Sequence, residues 1–84
     1  TENVAGVVGL GVAAEIARKT LTSEAERVGR LRDALEAGLV DAIPGLGVHG
    51  RGAPRLPNTA SVRFPRVSGS ALLAHAPEIA ASTG

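Results

Sequence analysis

The sequence contains no cysteine, no methionine, no tryptophan and no tyrosine, and phenylalanine occurs once, at Phe64. Without cysteine there is no disulfide and no thiolate metal site to staple a small fold. Aromatic side chains supply large buried areas per residue, so the apolar interior must come from Ala, Val, Leu and Ile. Charge of one sign is also lacking: nine basic and eight acidic residues leave a net charge of +1 over 84 residues. That balance gives little electrostatic drive toward nucleic acid or an anionic membrane. No apolar run reaches the roughly 18 to 20 residues of a membrane span, and no basic segment leads into an apolar signal core. A cytoplasmic protein with neither nucleic-acid nor membrane partners is the expectation. Even a 60-residue domain buries only about 60% of its unfolded surface. The length, the thin choice of core residues and a first residue other than Met point to a segment of a larger protein.

What is present is mostly helix-forming. Residues 3–21 are apolar on most sides, with Glu15, Arg18 and Lys19 as the few polar positions. Such a helix wants burial on several faces. Gly6, Gly9 and Gly11 weaken it by about 1 kcal/mol each relative to Ala, which implies a packing reason for small residues. Ser23 and Glu26 fit a capping box and predict a second helix to about residue 43. Val28, Leu31, Leu35 and Leu39 form its apolar stripe, while Arg27, Arg30, Asp33, Glu36 and Asp41 fill the opposite, solvent side. Pro44-Gly45 ends it. A short strand is expected at 46–49 and a loop at 50–58. A half-buried strand follows at 59–64, alternating Ala60, Val62 and Phe64 against Ser61 and Arg63, with Phe64 as core anchor. Ser68 caps a short helix over 71–76, and residues 79–82 read as a last strand. The order α-α-β-β-α-β predicts an α+β fold, a short, mainly antiparallel sheet with helices packed on one face.

The residues taken singly carry little chemistry. Gly9-x-Gly11-x-x-Ala14 matches a dinucleotide fingerprint, but the second strand that the fingerprint requires is replaced by a helical pattern. A Gly-rich packed helix is the better reading. His49 and His75 lie in different elements without the three or four matched ligands a metal needs, and no metal site is expected. Lys19, the one lysine, reads as a solvated surface residue. No serine or threonine has the base and orienting group of an activated nucleophile.

Three segments together carry more. Thr1-Glu2-Asn3-Val4-Ala5-Gly6 before the Ala-rich helix is similar to the Gly-Thr-(Glu/Pro)-Asn segment of cysteine desulfurases. Arg55-Leu56-Pro57-Asn58-Thr59 resembles their Leu-Pro-Asn-(Thr/Ile) motif. Ile79-Ala80-Ala81-Ser82-Thr83-Gly84 resembles the approach to their Ser-(Ser/Thr)-Gly-Ser-Ala-Cys loop. Ile43-Pro44-Gly45 falls in the corresponding place between them. The resemblance spans the chain, and selenocysteine lyases share the same motifs.

The resemblance implies part of a pyridoxal 5'-phosphate enzyme of the class V aminotransferase superfamily, with fold type I. Residues 1–21 would end the large domain with a buried interdomain helix, and 22–84 would form an incomplete C-terminal small domain. The full-length homodimer would convert L-cysteine to L-alanine. Persulfide sulfur would pass to an acceptor or scaffold protein for iron–sulfur cluster or thio-cofactor assembly. Thr1 would reach the cofactor phosphate across the dimer, and Asn58 would shape its loop. Ser82, Thr83 and Gly84 would lead to a catalytic cysteine outside this chain. The lysine that holds the cofactor would also lie outside, since Lys19 matches no family lysine. No catalytic residue is therefore expected among the 84, and the chain alone is expected to be inactive. A selenocysteine lyase or another enzyme of the superfamily is the nearest alternative. A non-enzymatic α+β interaction domain is the alternative of another class.

Overall fold

The computed structural model describes residues 2–84. Its elements in chain order are α1 (Val4–Ala42), β1 (Gly47–Val48), β2 (Val62–Arg63) and α2 (Gly69–Ala74). The α+β class is as expected, with a two-stranded antiparallel sheet that pairs Gly47 with Arg63 and Val48 with Val62.

The two expected long helices are one. α1 runs for 39 residues without a break at 20–23. No glycine or proline interrupts that stretch, and its hydroxyls bond backward instead of capping. Thr20 Oγ1 donates to the Ile16 carbonyl at 2.9 Å and Ser23 Oγ to the Thr20 carbonyl at 3.1 Å. A hydroxyl bonded to the preceding turn is compatible with a helix interior, so Ser23 and Glu26 make no capping box. The real N-cap is Asn3, whose Oδ1 accepts the Gly6 N–H at 2.9 Å. A Cβ on Gly6 would stand 2.6 Å from Asn3 Nδ2, so Gly6 leaves room for the cap. At the other end the Ile43 N–H reaches the Leu39 carbonyl at 2.9 Å. Gly45 then takes φ +87°, a left-handed turn that glycine enters without a Cβ penalty.

α1 sets the dimensions. A 39-residue helix is about 58 Å long, and the molecule measures 54 × 28 × 22 Å. Its radius of gyration is 17.8 Å, against about 12 Å for a compact domain of this length. The accessible surface of 6769 Å² exceeds the roughly 4,600 Å² of a folded monomer of this mass.

Among the described residues no apolar side chain is buried. The expected burial of the first helical segment is not met within this chain: Val7 is 69% and Leu10 72% exposed. Phe64 is half-buried, not a core anchor, in a chain where no apolar side chain among the described residues is buried. Helices packed across the sheet are not found either. The two hairpin strands are the one pair of elements in extensive contact.

The strands are shorter than expected, although the His49 N–H extends the ladder to the Ser61 carbonyl at 2.9 Å. α2 is capped as expected by Ser68, whose Oγ accepts the Ala71 N–H at 3.2 Å. The last strand, 79–82, does not form. A strand needs a paired edge, and a two-residue β2 offers almost none. The Ile79 N–H instead closes a turn on the Ala76 carbonyl at 3.0 Å.

Candidate functional site

The interior of this molecule is polar. Glu36, 4% exposed, is the one residue classed as buried among those described. Its carboxylate takes two bonds from a single guanidinium: Arg55 Nη1 to Oε1 at 2.6 Å and Nη2 to Oε2 at 3.2 Å. Two parallel bonds between planar groups fix orientation as well as distance. The Arg55 hydrogen bonds hold the Glu36 carboxyl below the ordinary glutamate range, and burial opposes the shift less strongly. The same bonds raise Arg55 further above its usual value.

The next residues of the loop are held by successive turns of α1. Arg32 Nη1 donates to the Leu56 carbonyl at 2.8 Å, while its other nitrogens engage Asp33. Pro57 Cβ lies 3.8 Å from where a side chain on Gly29 would begin. Positions 36, 32 and 29 are one helical face, spaced four and three residues apart. Residues 55, 56 and 57 descend that face one after another, antiparallel to the helix. The Leu-Pro-Asn segment is therefore laid on α1 by a carboxylate, a guanidinium and the absence of a side chain.

Beyond this clamp the chain alternates. Asn58 and Ala60 border an open groove with Val28, Leu31, Arg32 and Leu35. Thr59 and Ser61 face a shallow depression of about 210 Å³, shared with His49, Arg55 and Leu56. Thr59 Oγ1 also donates to Asn58 Oδ1 at 3.2 Å.

The other sequence-based candidates are scattered. Thr1 lies outside the described residues. Lys19 is exposed midway along α1, with Nζ 3.8 Å from Glu15 Oε1. Gly9 and Gly11 lie inside α1, where backbone N–H groups are already bonded to the helix, so they form no phosphate cradle. His49 lines the depression, whereas His75 closes α2. Among the described residues no group of three or more His, Cys, Asp or Glu could hold a metal. Ser82, Thr83 and Gly84 are irregular, and a Cβ on Gly69 would stand 3.2 Å from the Thr83 methyl. The terminal segment therefore passes against the start of α2.

Sequence reasoning missed Arg32 and the pairing of Glu36 with Arg55, although it placed Arg55 at the head of the motif segment. Glu36 reads as solvent-facing because charged residues on an amphipathic helix usually are. The signal that could have found it is Arg55, a cation directly before the Leu-Pro-Asn motif.

Comparison with known proteins adds the following. The chain is 51% identical to a cysteine desulfurase of Gluconacetobacter diazotrophicus, with all of this chain and 22% of the relative covered. It is 46% identical to the cysteine desulfurase NifS of Azotobacter vinelandii, with all of this chain and 21% of the relative covered. It is 44% identical to the cysteine desulfurase IscS of Anaeromyxobacter sp., again with all of this chain and 21% of the relative covered. The chain thus spans about one fifth of the length of the curated relatives it matches. No family model matches, and no solved structure matches.

Proposed function

Since this chain belongs to the cysteine desulfurase family, we propose that it is the C-terminal part of such an enzyme. In this reading residues 1–21 end the large domain and 22–84 form most of the small domain. The whole protein is a cytoplasmic homodimer that converts L-cysteine to L-alanine. It hands persulfide sulfur to an acceptor or scaffold protein for iron–sulfur cluster or thio-cofactor assembly. The observation that carries the reading is 51% identity to a cysteine desulfurase along the entire chain. Among the described residues no helix is long and apolar enough to cross a membrane.

Pyridoxal 5'-phosphate is the proposed cofactor of the whole enzyme, but the described residues do not fit it. A lysine in a cavity is needed to hold it, and Lys19 is an exposed helix residue beside Glu15. The proposed role of Thr1 at the cofactor phosphate across the dimer stays with the whole protein, as do the lysine and the cysteine. What this chain contributes is placement. Its clamp holds residues 55–58 on α1, and α2 borders the segment that resembles the approach to the catalytic loop.

The test is alanine formation by the purified full-length holoenzyme, with L-cysteine and L-selenocysteine as parallel substrates. Alanine from cysteine is expected. Turnover of selenocysteine alone would replace the desulfurase reading by the lyase, and turnover of neither would leave an interaction domain. The 84-residue chain mixed with pyridoxal 5'-phosphate is expected to retain no Schiff-base absorbance band after dialysis, since Lys19 is an exposed amine without a cavity.

A further inference from the structure

We propose that Glu36 and Arg55 are positioning residues that set the register of residues 55–61, and through it the placement of the segment leading to Gly84. This rests on the desulfurase reading for its consequence, though not for its geometry.

An extended segment normally takes its register from an alternation of buried and exposed apolar residues, because a slip of one position exchanges its two sides. In residues 55–61 the half-buried positions are Arg55 and Pro57, so Pro57 against Gly29 is the one apolar contribution to such a pattern. Leu56 is 69% exposed, and Ala60 is exposed as well. A slip would move Thr59 and Ser61 into the groove on α1 and Asn58 and Ala60 into the depression beside His49. What opposes the slip is the fork between Arg55 and Glu36, backed one turn away by Arg32 on the Leu56 carbonyl. A guanidinium fork fits one carboxylate in one orientation, so it fixes the register that apolar packing leaves open.

The consequence travels along a continuous path. Ser61 accepts from the His49 N–H, and β2 follows at once with Arg63 opposite Gly47. Beyond it Gly69 opens α2, and Thr83 lies beside it, its methyl 3.2 Å from where a side chain on Gly69 would begin. Residues 64–68 join β2 to α2, so in this proposal a shift of the 55–61 segment is passed along the chain to the start of α2 and to Thr83.

The test is a double-mutant cycle on the full-length holoenzyme, with Glu36→Gln, Glu36→Ala, Arg55→Lys, Arg55→Ala and the Glu36→Ala/Arg55→Ala pair. Misplacement of reacting groups by a fraction of an ångström is expected to lower kcat about tenfold. KM and cofactor content should change less than twofold. The double variant should be no worse than either alanine single, because both remove one interaction. Glu36→Gln keeps the side-chain shape and guards against a variant that fails to fold. Arg55→Lys keeps the charge but loses the fork, and should recover little. Single variants within twofold of wild type in kcat, or losses that multiply in the double variant, would overturn the proposal. If wild-type holoenzyme yields no alanine from cysteine, the desulfurase reading fails instead. The register is then decided by the Gly29–Pro57 nuclear Overhauser contact in the Glu36→Ala protein: its loss supports the role of the pair, and its persistence overturns it.

Discussion

The two halves of α1 are one continuous helix with opposite fates. In the first half the apolar residues face solvent: Val4 is 64% exposed, Leu10 72% and Leu21 67%. Its one ion-pair cluster, Glu15 with Arg18 and Lys19, is exposed. In the second half the most buried side chain is a carboxylate, and the rest of the chain is attached there through Glu36, Arg32 and Gly29. The sequence marks the first half as the more apolar, wanting burial on several faces, and the second as an amphipathic helix with one apolar stripe. The lesson is that apolar character does not say where this chain makes its tertiary contacts; the polar pairs that reach across the chain, Glu36 with Arg55 and Arg32 with the Leu56 carbonyl, do.

That contrast yields graded predictions. The largest effect should come from breaking the clamp. Glu36→Ala should lower Tm by about 5 °C or more, since 1 kcal/mol shifts a domain of this size by about 4–8 °C. Leu10→Ala, which removes an exposed side chain, should stay within about 0.5 kcal/mol of wild type. Thermal melts followed by circular dichroism compare the two. An equal or larger loss for Leu10→Ala would erase the difference between the halves.

Acid should act on the same half. The Glu36 carboxyl is lowered in the folded chain by its Arg55 bonds, so the unfolded chain binds its proton first as pH falls. The stabilisation is complete above the ordinary glutamate range and is lost as pH falls through the lowered folded value. Glu15 and Glu24 are lowered too, by Arg18 and Arg27, but they lie on the exposed surface, where such pairs contribute little. Melts from pH 7 down to pH 3 should show the acid loss in wild type and a weaker one in Glu36→Gln.

Smaller effects separate the glycines of the first half. Gly9→Ala and Gly11→Ala meet nothing within 4 Å and should each stabilise α1 by about 1 kcal/mol. Gly6→Ala should go the other way, because its methyl would strike the Asn3 cap. Ser68→Ala, which removes the N-cap of α2, should cost about 1 kcal/mol without touching α1. Helicity and melting of the four variants check these signs.

Much of this was legible in the residues. Apolar spacing and Pro44-Gly45 place the end of α1, Ser68 caps α2, and the three motif segments point to the family that the relatives establish. The continuity of α1 was not legible, because Ser23 and Glu26 satisfy a capping pattern locally while the helix gains more by running on. The final strand was not legible as absent, since the apolar residues Ile79, Ala80 and Ala81 say nothing about a missing edge. The clamp was hidden for a similar reason. Glu36 looks like any surface glutamate until the chain folds back 19 residues later and brings Arg55 to it.

The most direct test of the clamp is a set of nuclear Overhauser contacts in the uniformly labelled chain, from the Gly29 α-protons to Pro57 and from the Glu36 side chain to the Arg55 δ-protons. Both contacts are predicted at pH 7, together with slow exchange of the Arg55 guanidinium protons. Absence of both contacts while α1 remains helical would contradict the account.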